Sequence, residues 1–204
     1  MIKYRSSEEK DLDLCTKILI GGFYPQLKIF FGHPIPFNLL YDILKSFMKL
    51  ENNGFIVAED NNIISGFILI SRSMQKLILR FIQYHFGRIL LKFIKGGYIK
   101  VSIKSILFLI IQFIYFNLQS INHISFSQGQ ILILSVDSRF RRKGIGKTLL
   151  TAGMKYVKTF AKSVKLEVRQ DNIPAITLYL KEGFVVKGKV KSSIGFSLVL
   201  IKNF

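Results

Sequence analysis

Between Gln130 and Thr148 the chain passes from an apolar run, Ile131–Val136, through a basic turn, into a helical pattern. The turn and the helix start read Arg141-Arg142-Lys143-Gly144-Ile145-Gly146-Lys147-Thr148. A strand, a tight glycine-containing turn and a helix start together make a device for holding phosphate. The glycines let backbone approach a ligand and adopt dihedrals closed to other residues. The helix N-terminus offers free N–H groups and a partial positive charge to an anion. Arg142, Lys143 and Lys147 add charge suited to a ligand with several phosphate charges.

Three phosphate-loop patterns compete for this stretch. The P-loop needs Gly, four residues, then Gly-Lys-Ser/Thr. Gly146-Lys147-Thr148 supplies its end, but the position of the first glycine is Arg141, whose side chain would crowd the phosphate cradle. No later apolar strand ends in an Asp that could help hold Mg²⁺. The dinucleotide fingerprint Gly-x-Gly-x-x-Gly finds Gly144 and Gly146, but its third position is Leu149. The third pattern, Arg/Gln-x-x-Gly-x-Gly/Ala, is filled completely by Arg141–Gly146. Here the chain resembles the GNAT superfamily of acyl-CoA N-acyltransferases.

A second stretch carries the same resemblance. Val164–Val168 alternates apolar and polar residues, as a strand does. Gln170-Asp171-Asn172 breaks that pattern, and Pro174 suits the first turn of a helix over Ala175–Lys181. Gly183 suits a left-handed C-terminal cap, and Phe184–Val186 resumes as a strand. The series Leu166-Glu167-Val168, Asn172, Ala175, Leu178-Tyr179 and Gly183-Phe184 is similar to the second cofactor-binding motif of the superfamily. It stands in the right order and at the right distance from the first.

The resemblance implies roles. Leu134, Ser135 and Val136 would pair their backbone with the pantetheine arm of coenzyme A, as an added strand would. Arg141, Arg142, Lys143, Gly144, Ile145, Gly146 and Lys147 would hold the pyrophosphate. Asn172 would touch the cofactor near the pantetheine. Tyr179 would protonate the departing thiolate; a thiol with a free pKa of about 8.5 can take a proton from a phenol near 10 held close by. Gly183 and Phe184 fit a helix cap and a core anchor. The attacking amine must also lose a proton, usually to a carboxylate. In the family a glutamate on the strand before the loop often serves, but Gln130–Val136 contains no acid. Glu167 is the best remaining candidate, its alternative being an ion pair with a lysine on a solvated face. Asp137 is expected as a turn residue.

The 204 residues suit one domain, 1–204. Half are hydrophobic and the mean hydropathy is +0.34. The single cysteine, Cys15, cannot form an intrachain disulfide, and Glu8, Glu9, Asp11 and Asp13 argue against a signal peptide, so a cytoplasmic protein is expected. His33, His85 and His123 show no metal-ligand spacing, so no metal is expected. A net charge of +18 invites a nucleic-acid reading. However, no recognisable nucleic-acid motif accompanies it, and abundant Lys, Ile, Phe and Asn are what an AT-rich genome imposes. No nucleic-acid partner is expected.

The N-terminal half matches the superfamily by layout. Ile2–Arg5 reads as a strand. A helix starts at Ser6 or Ser7 with Glu8, Glu9 and Asp11 in its first turn, and Gly21-Gly22 ends it. Phe23–Pro36 reads as an aromatic loop, part of an acceptor pocket, and Phe37–Leu50 as a second helix. Phe55–Glu59 and Ile63–Ser71 read as a hairpin around Asp60-Asn61-Asn62. Arg72–Ser127 then intervenes before the phosphate-loop strand and contains no Asp or Glu. Lys76, Arg80, Gln83, Arg88, Lys92 and Lys95 fall in one helical stripe within large apolar residues, Gly96-Gly97 ends the helix, and Ile106–Phe116 is a second apolar run. This run is too short to span a bilayer. Such an insertion could wall the acceptor site, lie on an anionic membrane or form an oligomer interface.

The expected fold class is α/β: a GNAT-type mixed central sheet flanked by helices, with an extra helical insertion before the strand preceding the phosphate loop. The expected function is acetyl transfer from acetyl-CoA to a primary amine, in a small-molecule or peptide acceptor, by direct attack. The alternatives are a non-catalytic CoA-binding module with a membrane- or partner-binding insertion, and a P-loop-like nucleotide-binding protein.

Overall fold

The computed structural model describes residues 2–96, 128–192 and 195–204. Seven strands form one sheet: β1 (Lys3–Ser6), β2 (Phe55–Asp60), β3 (Ile63–Ser71), β4 (Gln128–Val136), β5 (Ser163–Arg169), β6 (Val185–Ser192) and β7 (Gly195–Asn203). Their order across the sheet is β1-β2-β3-β4-β5-β7-β6. The β4–β5 pair is parallel and the remaining pairs are antiparallel, so the sheet is mixed as expected.

Both faces of the central strands are buried, which explains the near-continuous apolar run of β3. Its side chains alternate between two cores. Ile68 and Ile70 pack with Leu149, Leu150 and Val157 of α5 (Ile145–Lys158). Phe67 and Leu69 pack with Leu12, Cys15 and Ile18 of α1 (Leu12–Phe31) and Leu44 of α2 (Phe37–Leu50). Helix α5 comes so close to the sheet that a Cβ on Gly153 would lie 2.6 Å from Ile70 Cδ1. The β2–β3 hairpin turns on Asn61 and Asn62, both at positive φ (48° and 64°), the geometry of a two-residue type I′ turn.

Three N-terminal expectations need correction. Strand β1 starts one residue later than read, and Glu9–Asp11 forms a 3₁₀ turn ahead of α1. Helix α1 runs through Gly21-Gly22 to Phe31, so most of the expected loop Phe23–Pro36 is helical. The chain records the glycines as a kink rather than a stop: Phe23 leaves helical geometry (φ −122°, ψ 19°). Pro25 has no N–H to give the Gly21 carbonyl, so one turn of the ladder is lost there and the helix bends.

Within the expected insertion, α3 (Met74–Phe81) passes through a π-helical turn, Ile82–Phe86, into α4 (Gly87–Ile94). Leu77 is buried, Phe81 lies against Phe47 of α2 at 5.6 Å between ring centroids, and Ile89 and Phe93 pack against Leu39. Gly96 adopts φ +72°. The second apolar run, Ile106–Phe116, lies outside the described residues.

Candidate active site

The site is built from an opening in the sheet. Strands β4 and β5 pair only from Gln128–Ile131 to Ser163–Leu166, although β4 continues to Val136 and β5 to Arg169. At the same level the β3–β4 register slips: Leu69 faces Ile133, Ile70 faces Ile131, and Leu132 is the extra residue. Such a bulge bends the strand that carries it. Beyond it, β4 stays paired to β3, with Ile68 opposite Leu134 and Gly66 opposite Val136, but has no ladder partner on β5. Backbone donors and acceptors on that open edge need a partner. An extended chain carrying amide groups, such as a pantetheine arm, can supply one.

The residues read as pantetheine contacts, Leu134, Ser135 and Val136, all lie on this open stretch. Leu134 and Val136 pack toward the α5 core. Ser135 faces the other way and its hydroxyl donates to the Ile18 carbonyl at 3.3 Å. Gly22 lets α1 come this close, since a Cβ there would lie 2.5 Å from Ser135 Oγ. The sequence shows the Gly21-Gly22 pair but not this packing role.

The phosphate loop follows directly. Asp137 accepts from the Arg139 N–H at 2.9 Å and pairs with its guanidinium at 2.7 Å, which holds the carboxyl below its ordinary range. Asp137 is therefore a turn residue, as expected. Arg141 Nε donates to the Val136 carbonyl at 3.1 Å, tying the loop to the end of β4. Arg142 (φ 62°) and Gly144 (φ 79°) are left-handed. Gly144 caps α5, and the first intrahelical bond in that turn runs from Thr148 N–H to the Gly144 carbonyl. The N–H groups of Ile145, Gly146 and Lys147 precede it, the usual orphan donors of a first turn. Lys147 pairs with Glu182 at 3.2 Å, while Arg142, Lys143 and Gly144 are exposed. These groups fit a pyrophosphate.

Helix α6 (Ile173–Lys181) flanks the opening. Asn172 caps it by accepting from Ala175 N–H at 3.3 Å, Pro174 stands in its first turn, and Gly183 follows at φ +83°. Tyr179 points inward, 7% exposed, with its ring edge-on to Phe184 at 5.6 Å. Burial pushes its phenol up to about 12, so it holds its proton across the neutral range.

Glu167 stands one residue beyond the last β4–β5 pair. Val164, Leu166 and Val168 share the core of Tyr179, so by strand alternation Lys165 and Glu167 face the α1 side. The expected pairing with a lysine is present, since Lys165 Nζ lies 3.2 Å from Glu167 Oε1, but this face is not solvated. Lys165 is 2% exposed and Glu167 Oε1 is buried. Burial raises the Glu167 carboxyl above its ordinary range against the opposing pull of Lys165. Glu167, with its carboxyl raised, and Tyr179 thus stand on opposite sides of β5. Lys165 and its in-register neighbour Gln130, also buried, were not singled out from sequence. A lysine alternating into an inward row of Val-Lys-Leu-Glu-Val was the available signal.

An opened mixed sheet with a basic, glycine-containing turn at the end of its central strand offers an open strand edge and a set of loop amides side by side. Residues 105–184 match the Acetyltransferase (GNAT) family. The chain is similar to the N-alpha-acetyltransferase of Sulfurisphaera tokodaii, 48% identical over 59 residues, which is 28% of this chain and 35% of that protein. The matched stretch therefore spans about a third of that relative. Its fold is like that of an N-acetyltransferase from Staphylococcus aureus (TM-score 0.68, 16% identity, covering 98% of this chain and 100% of the other). It is also like that of a putative acetyltransferase from Salmonella typhimurium with its cofactor acetyl-CoA (TM-score 0.61, 12% identity, covering 99% and 93%).

Proposed function

We propose that this protein is an acetyl-CoA-dependent N-acetyltransferase that acts on a primary amine, with the α-amine of a peptide as the favoured acceptor. The observation that carries the reading is the opening between β4 and β5, along which β4 runs on to Val136 without a partner on β5. The similarity to an N-alpha-acetyltransferase favours the peptide α-amine. The site works in the cytoplasm.

Open-edge backbone of Leu134–Val136 would hold the pantetheine, and loop amides from Arg142 to Lys147 the pyrophosphate. Asn172 would lie beside the arm. When bound, acetyl-CoA supplies an activated acetyl thioester. Glu167 accepts the proton that the attacking amine must lose, because a raised carboxyl is a stronger base than an ordinary one. Lys165 keeps that carboxyl ionisable despite its burial. Tyr179 donates its hydroxyl proton to the departing sulfur.

Thiol release from acetyl-CoA, followed with peptides bearing free or blocked α-amines, tests this. Free α-amine peptides should release thiol and blocked peptides containing lysine should not. Glu167→Gln should lower kcat/KM by about 10²-fold, the ordinary contribution of a general base. The sign of the pH dependence follows from the raised carboxyl: wild-type activity climbs as pH rises through a value above the ordinary 4.5, and the variant lacks that limb. CoA binding without thiol release for any amine would point instead to a non-catalytic CoA-binding module.

A further inference from the structure

We propose that the α3–α4 helix docks the protein on an anionic phospholipid surface. Along Met74–Ile94 the residues sort into rows four apart. Leu77, Phe81, His85, Ile89 and Phe93 face the protein, with Leu77 buried and the others half-buried. Successive residues four apart on a plain α-helix drift by roughly 40°. The wider π-helical turn at Ile82–Phe86 takes back part of that drift and keeps one row aimed at α2.

The row on one flank of the buried one is wholly apolar: Ile78, Ile82, Phe86, Leu90 and Ile94. With Leu79 and Leu91 on the outermost row it leaves large side chains in solvent. Leu79 is 66% exposed, Ile82 50%, Leu91 58% and Ile94 70%. The row on the other flank is basic: Lys76, Arg80, Arg88 and Lys92, interrupted by Tyr84. A soluble surface helix ordinarily turns charge outward.

The basic flank opens on a groove against α2 that gathers Lys45, Lys49, His85, Arg88 and Lys92 around Asp42. Lys92 pairs with Asp42 at 2.8 Å and Lys45 pairs with Glu9. Among the described residues this leaves Lys49 and Arg88 as surplus cations beside the exposed apolar row. Burial and the neighbouring Arg88 and Lys49 hold the His85 imidazole below its ordinary range, so it adds no charge at neutral pH.

Charge decides the occupant. Residues 72–96 contain no Asp or Glu, and the chain carries a net +18. Two copies meeting through this face would set like charges together. An anionic phospholipid matches both parts: phosphate at Lys49 and Arg88, acyl chains against Leu90, Leu91 and Ile94. No described helix is long and apolar enough to cross a membrane, so the contact lies in the interface. The proposal does not depend on the acetyltransferase reading.

Co-sedimentation of the full chain with phosphatidylglycerol and phosphatidylcholine vesicles tests it. Binding to the anionic vesicles is expected at about 50 mM NaCl. It should fall at least about tenfold at roughly 500 mM, as screening shortens the range of the charges. Ile94→Glu and Leu91→Glu, both at exposed positions, should abolish it; Arg88→Glu should weaken it at least about tenfold. In each variant the far-UV circular dichroism and the cooperative thermal unfolding transition should persist, which shows an intact fold. Equal binding to zwitterionic vesicles, no binding at low salt, or a chain that dimerises until Ile94→Glu is introduced would overturn the proposal.

Discussion

Replacing Tyr179 by Phe should lower turnover by about 10²- to 10³-fold, within the range for a positioned general acid. The melting temperature and the affinity for coenzyme A should hardly change. The substitution keeps the ring that meets Phe184 edge-on and removes only the hydroxyl. A proton delivered as the C–S bond breaks lowers the barrier to expelling the sulfur and leaves it as a neutral thiol. The buried phenol, pushed up to about 12, is protonated throughout the working range. Its contribution should therefore be flat across the neutral range, while Glu167 sets the rising limb. Single-turnover kinetics separate the two steps: Tyr179→Phe should slow thiol release without moving the pH of that limb. Turnover unchanged in Tyr179→Phe would mean that water, not the phenol, protonates the sulfur.

Asp11→Ala should cost about 3–5 kcal/mol of stability, the range for breaking a buried ion pair by removing one partner. Asp11 is 3% exposed and accepts from Arg5 at 2.6 and 2.9 Å and from the Glu8 N–H at 2.8 Å. Arg5 also donates to Glu59 at 2.6 Å, so one guanidinium joins β1, β2 and the turn leading into α1. Without Asp11 that charge is left half-answered next to the core. Burial works against the Asp11 carboxylate, but the Arg5 and Glu8 hydrogen bonds prevail and hold it below 3.8. A lowered carboxyl contributes stability above its unfolded value and loses it as pH falls through the folded one. Wild-type protein should thus lose this contribution on acidification from about 3.8 downward, and Asp11→Ala should be flatter there. The exposed Asp13–Lys17 pair is the control; breaking it should cost no more than about 0.5 kcal/mol. Urea denaturation measures both.

Local chemistry was the legible part of this chain. Asn61-Asn62, Asn172 with Pro174, and Gly144 and Gly183 each fix their own backbone, and each element stands where the sequence put it. The phosphate-loop turn is legible for the same reason. Gly21-Gly22 misled because a glycine pair inside a helix and one ending it look alike; only the approach of Ser135 distinguishes them. The surroundings of Glu167 were hidden too. Strand alternation puts Lys165 and Glu167 on one face, but whether that face is wet is set by packing that the strand's own pattern does not carry. The apolar and basic rows of α3–α4 were visible as composition, and their assignment to buried, apolar and basic flanks needed α2 beside them.

If the opening between β4 and β5 is a coenzyme A site, coenzyme A stabilises the fold and ATP–Mg²⁺ does not, which thermal unfolding with each ligand separately measures. Coenzyme A at about 100 times its Kd should stabilise the protein by about 2.7 kcal/mol. Gly144→Glu should remove the effect, because it places a carboxylate where the phosphates sit and strains a residue at φ 79°. Stabilisation by ATP–Mg²⁺ with none from coenzyme A would contradict the account and restore the P-loop reading of Gly146-Lys147-Thr148.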